Sequence, residues 1–134
     1  MPSDQIPLEI VRNPIFYPYF KDVIGAIDGT QNKAHVAADS VAPFRNRKGD
    51  ISQNVMAACT FDMYFCFVLP GWEGSAHDGR VLNDALMRGF DIPTGKYYLA
   101  DAGYALKKGF LVPYRGVRYH LREQFNSRQK YVVT

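Results

Sequence analysis

Apolar residues along this chain fall in short runs broken by Gly, Pro and Asp, a pattern of short strands with few helices. Val23-Ile24-Gly25-Ala26-Ile27-Asp28 is an apolar run closed by an acid and a Gly-Thr turn, and it predicts a buried strand. Residues 31–50 are mixed and predict a strand or loop around the basic cluster Arg45-Asn46-Arg47-Lys48-Gly49. Ser52 to Thr60 and Tyr64 to Leu69 predict a strand pair, with Phe61-Asp62-Met63 as the hairpin connection and Pro70-Gly71 as the stop. Over residues 76–88, Val81, Leu82, Ala85 and Leu86 recur at helical spacing, with Ser75 as the expected N-cap and Gly89 as the terminator. Tyr97-Tyr98-Leu99-Ala100-Asp101 predicts another strand ending in an acid, and Phe110-Leu111-Val112-Pro113 one more. Residues 1–20, with four prolines and several aromatics, predict an extended lead-in rather than a helix. Strand, hairpin, helix, strand is the order of an α/β protein with a mixed sheet.

Composition narrows the class. The 134 residues suffice for one domain with one core. An apolar content of 47% excludes an intrinsically disordered chain. No apolar run is long enough to span a membrane, and the N-terminus lacks the pattern of a secretory signal. Cys59 and Cys66 cannot build a disulfide framework, so buried free thiols in a reducing compartment are expected. Zinc-type spacings and phosphate-cradling glycine loops are absent, and Gly71-Trp72-Glu73-Gly74 is too short for the latter. Trp72 is expected to anchor a loop, half-buried.

Charge is unevenly spread. Residues 1–104 carry nine basic and twelve acidic residues, whereas residues 105–134 carry seven basic and one acidic. An acidic body with a basic end fits a carboxylate-rich site and a polyanionic partner. Arg45, Arg47 and Lys48 in one segment, and Arg115 and Arg118 with neighbouring Lys107 and Lys108 in another, are the candidate phosphate contacts. Tyr114 and Tyr119 interleave with the second group and are expected to pack on the sheet.

The acids carry the candidate chemistry. Asp28 and Asp101 each close an apolar strand and precede small residues, and Asp78 opens the predicted helix. Strand ends are where sites collect in an α/β sheet. Three carboxylates facing one another at ~5 Å would repel by about 3 kcal/mol per pair at an effective dielectric of 20. A hard divalent cation, Mg2+ or Mn2+, would relieve that repulsion and could support phosphodiester cleavage. The plainer alternative is that each Asp is a turn former or first-turn helix residue. His77, beside Asp78, fits an exposed position near a helix end.

Five segments occur in order: Ile24-Gly25-Ala26-Ile27-Asp28-Gly29-Thr30, Arg45-Asn46-Arg47-Lys48-Gly49, Ser52-Gln53-Asn54-Val55, Pro70-Gly71-Trp72-Glu73-Gly74-Ser75-Ala76-His77-Asp78, and Tyr97-Tyr98-Leu99-Ala100-Asp101-Ala102-Gly103-Tyr104. Pro113 to Leu121 extends the series. Together, across roughly residues 14–122, they resemble the Harbinger-type (PIF/Harbinger) transposase family, DDE superfamily endonucleases that cut DNA with divalent metal. The resemblance implies an RNase H-like mixed sheet with flanking helices, formed by residues 21–134 behind the lead-in. It implies Asp28 and Asp101 as catalytic carboxylates and Asp28, Asp78 and Asp101 as ligands of Mg2+ or Mn2+. It also implies a DNA substrate, a nuclear location and a separate Myb-like DNA-binding partner.

The match has departures. Gln31 stands where the family commonly has His, and Ala105 where it commonly has Pro. The family's late catalytic Glu belongs to an Asn-x-x-Glu-Arg-like helix downstream of the last matching motif. This chain ends before such a helix, and Glu123 matches the end of the Tyr-His-Leu motif instead. The expectation is therefore a domain truncated at its C-terminus. Two functions stay open: a metal-dependent DNA endonuclease or transposase-type domain, incomplete as it stands, or a catalytically inactive derivative retaining only DNA or protein binding.

Overall fold

The computed structural model of the protein describes residues 5–114 and 116. Its centre is a five-stranded sheet in the order β3-β2-β1-β4-β5. The strands are β1 (Val23–Lys33), β2 (Ser52–Cys59), β3 (Phe65–Glu73), β4 (Tyr97–Leu99) and β5 (Phe110–Leu111). β1, β2 and β3 pair antiparallel, and β4 and β5 add in parallel to the other side of β1. This is the expected α/β mixed sheet, consistent with an RNase H-like architecture.

Strand lengths differ from the sequence expectation because pairing, not local composition, sets them. β1 runs on through Gly29-Thr30, where a turn is expected, because β2 pairs with it from Ala26↔Cys59 to Lys33↔Ser52. Asp28 therefore lies within a strand, opposite Ala57, and not at its end. β3 likewise continues past Pro70-Gly71. Between the pairs Met56↔Leu69 and Asn54↔Trp72, those two residues face Val55 alone, which is a bulge. Gly71 takes a φ of 92° there, and Pro70 is tolerated because β3 is an edge strand. Trp72 thus sits in a strand, half-buried, and donates from Nε1 to Asp84 Oδ2 at 2.8 Å. The Phe61-Asp62-Met63 hairpin forms as expected, with Thr60 N–H donating to Tyr64 O at 2.9 Å.

The lead-in is not extended. Leu8–Val11 forms a helical turn, α1, preceded by Pro7, whose fixed φ suits entry into a helix. Ile10 is buried, and bonded turns follow from Asn13 to Lys21. A second short helix, α2 (Val41–Phe44), precedes the basic loop. The main helix, α3, spans Asp78–Met87, with His77 rather than Ser75 at the N-cap position. Ala76 N–H is taken by Glu73 O, and the first helical bonds run to His77 O from Arg80 and Val81. Gly89 ends the helix at a φ of 96°, as expected.

α3 buries Val81, Leu82 and Ala85 on one face of the sheet. β2 supplies its alternate residues Ser52, Asn54, Met56 and Ala58 to that face. Ile24, Ile27, Phe90, Tyr98, Tyr104 and Phe110 complete the core. The opposite face holds a depression of about 260 Å³ lined in part by Ala26, Asp28, Ala57, Cys59 and Phe65. Both thiols are free, as expected, but neither is buried: Cys59 faces this side half-covered, and Cys66 lies on the edge strand. Among the described residues, no helix is long and apolar enough to cross a membrane.

Candidate active site

The parallel pairing of β1 and β4 brings the segments that carry Asp28 and Asp101 side by side. Ala26 pairs with Leu99. The ladder ends there, with Asp28 two residues further along β1 and Asp101 two residues beyond the end of β4. Asp78 reaches the same end of the sheet as the first residue of α3. Its carboxylate is half-buried, whereas Asp28 and Asp101 are exposed. Asp101 is exposed because β4 stops at Leu99, before it.

Two glycines make the close approach possible. A methyl group on Gly103 would lie 2.6 Å from Asp78 Oδ2 and 3.0 Å from Asp101 Oδ1, too near for the first to stay where it is. The bare backbone at 103 thus lets these carboxylates come together, no farther apart than the sum of those distances. On the other side of Asp78, a methyl on Gly29 would lie 3.0 Å from Asn54 Oδ1, 3.4 Å from Asp78 Oδ1 and 3.6 Å from the Tyr104 hydroxyl.

The electrostatics agree with this placement. Burial raises the Asp78 carboxyl above the usual range, and the charges of Asp101 and Asp28 push the same way. The Asn54 carboxamide and the Arg47 guanidinium oppose the rise without cancelling it. The Tyr104 phenol is driven well above its ordinary value, first by burial and then by Asp78, Asp28 and Asp101 together. One hydroxyl in the core therefore feels all three acids.

Asp28 nonetheless stands apart from the other pair. Its neighbour Gly29 pairs with Met56 on the α3 face, so the alternation of β1 turns Asp28 to the opposite face. Asp28 Oδ1 accepts from Gly29 N–H at 2.8 Å, and Asp101 Oδ1 accepts from Gly103 N–H at 2.8 Å, so both acids also form turns. Among the described residues, no group of three His, Cys, Asp or Glu side chains is arranged to hold a single ion. What converges is a pair, Asp78 and Asp101, with Asp28 within electrostatic reach. That donor set still fits a hard cation. Every donor is oxygen, and Mg2+ is commonly held by one or two carboxylates plus substrate phosphates. Asn54 Oδ1 adds a buried acceptor with no hydrogen-bond partner.

A family model described as DDE superfamily endonuclease matches residues 27–132. The chain belongs to that family. No curated protein and no solved structure matches it. Membership makes this a nuclease or transposase-type domain, with DNA as the family's substrate.

The other expected residues divide. Arg47 is exposed, and its charge favours the ionised form of Asp78. Arg45 is tied to Gly49 O at 2.8 Å, and Lys48 is exposed. Arg115, Arg118, Tyr119 and Glu123 lie outside the described residues. Tyr114 is largely exposed. His77 is exposed at the start of α3, as expected. Gln31 accepts from Ser52 Oγ at 2.7 Å and donates to Gly74 O at 3.4 Å, a structural tie across the strands. Sequence reasoning gave no role to Asn54, Tyr104, Gly29 or Gly103. One signal was present: Asn54 is a polar residue at an inward position of an alternating strand.

Proposed function

We propose that this DDE domain is a Harbinger-type nuclease that hydrolyses or transfers DNA phosphodiesters with a divalent cation. Asp28 and Asp101 are the catalytic carboxylates, and Asp78 joins them as a ligand of Mg2+ or Mn2+. The observation that carries this reading is the approach of the Asp78 and Asp101 carboxylates over Gly103, whose bare backbone leaves room for both.

The cation, when bound, supplies the positive charge that phosphoryl displacement requires. The chain's own residues do the rest. Asp78, anchored by α3, fixes the inner side of the site, while exposed Asp28 and Asp101 meet the substrate. Arg47, with Arg45 and Lys48 on the same loop, contacts phosphates and gives affinity without reading sequence. Arg115 and Arg118, outside the described residues, are further candidate phosphate contacts. The reading carries a nuclear location and a Myb-like partner as further proposals.

A second reading has its own support. Asp28 is engaged with Gly29 N–H and stands on the other face from Asp78. An inactive transposase-derived domain that only binds DNA or protein would tolerate that. Nicking of supercoiled plasmid by the full chain with Mg2+ or Mn2+ separates the two. The nuclease reading expects nicking that Asp28→Asn abolishes. Salt-sensitive binding without nicking would refute it and leave the binding domain.

A further inference from the structure

Asn54 is 2% exposed, and its Oδ1 has no partner among the described residues. Buried carbonyl groups are almost always paired, so an orphan in a core asks for a reason. Its location supplies one. The space above Gly29 is bounded by Asn54 Oδ1 from β2, Asp78 Oδ1 from α3 and the Tyr104 hydroxyl beyond β4. Three oxygens from three separate elements thus lie around the hydrogen that Gly29 carries in place of a side chain, and the Asn54 amide nitrogen already donates to Asp78, which leaves Oδ1 as its unpaired atom. Asp78 has a second oxygen turned the other way, toward Asp101.

We propose that Asn54 Oδ1 is a neutral ligand of a hard divalent cation shared with Asp78, on the inner side of that carboxylate. This rests on the reading of the acids as a cation site, and it adds a donor that the acids do not supply. A carboxamide oxygen is a suitable hard ligand. It also contributes coordination without adding a negative charge to carboxylates that already repel one another. Asparagine holds this position where aspartate would make the metal-free protein harder to fold.

The test is Mn2+ binding to the full chain by calorimetry, with melting followed with and without Mn2+. Wild type is expected to bind. Asn54→Ala is expected to bind about tenfold more weakly, and Asp78→Asn more weakly still. Asn54→Asp is expected to melt lower than wild type without metal and to gain more in Tm when Mn2+ is added. In wild type, Mg2+ is expected to shift the Asn54 side-chain amide resonances as the site fills. Folded Asn54→Ala with wild-type affinity would overturn the proposal. So would an Asn54→Asp gain no larger than wild type's, or side-chain resonances that stay put while the ion binds. Those results would make Asn54 a structural strut and leave the acids' cation site standing. Wild type that takes up no Mn2+ would bring down both.

Discussion

Replacing Gly103 by alanine tests the carboxylate pair without touching a charge. The added carbon would stand 2.6 Å from Asp78 Oδ2, whereas ordinary contact begins at 3.4 Å, so that oxygen must retreat by about 0.8 Å. The retreat is possible because the obstacle is the tip of a side chain. Turning it off its rotamer costs about 0.5–1.5 kcal/mol. Alanine also restricts the unfolded chain, which returns about 0.4–1 kcal/mol. The two nearly cancel, so Tm should stay within about 5 °C of wild type. Function should not stay. A displacement near 1 Å in a positioned site costs about 100-fold. Mn2+ affinity by calorimetry, and nicking where it occurs, should fall by about that factor. Gly79→Ala is the control: a methyl there meets nothing within 4 Å, and both readouts should hold. A folded Gly103→Ala that binds Mn2+ like wild type would mean that Asp78 and Asp101 do not serve one ion.

Asp78→Asn should raise Tm at pH 7 by about 2–5 °C in metal-free protein. The folded carboxyl titrates above its unfolded value of 3.8, so between those two points the folded state holds more protons. Stability is then lost as pH rises through that window, and the advantage of the variant should vanish below it; a pH-independent difference in Tm would contradict the assignment. Arg47→Gln should lower the slope of log affinity against log salt for duplex DNA by about 0.9, and an unchanged slope would remove Arg47 from the phosphate contacts.

Local signals carried much of the fold. The strand pair on either side of Phe61-Asp62-Met63, the helical spacing of Val81, Leu82 and Ala85, and Gly89 as a stop all act within a few residues, and all hold. The errors lie where a distant partner decides. Gly29-Thr30 has the composition of a turn, but β2 offers a continuous ladder and the strand goes on. Pro70-Gly71 would end an isolated strand, but an edge position with a bulge absorbs both residues. At the candidate site, the acids stand out in the sequence because charge near an apolar run is conspicuous. The glycines that admit them do not, since vacant space has no signature in composition. Tyr104 was hidden because an aromatic residue in an apolar stretch reads as core, which it also is.

The unequal burial of the three acids bears on how such a site can exist before it meets an ion. Three fully buried carboxylates would repel one another with little screening, and the metal-free protein would be hard to fold. Here the repulsion is kept outside. Asp28 and Asp101 stay in water, where screening is strong and each accepts a backbone N–H. Asp78 alone is half-buried, and burial raises its carboxyl above the usual range. That burial is shared with a neutral neighbour, Asn54, and not with a second buried charge. In the proposed function, the arrangement would leave the exposed acids free to adjust to a cation and a phosphate. Asp28 would then have to give up its bond to Gly29 N–H, a bond between groups that water already solvates, so little is lost by breaking it.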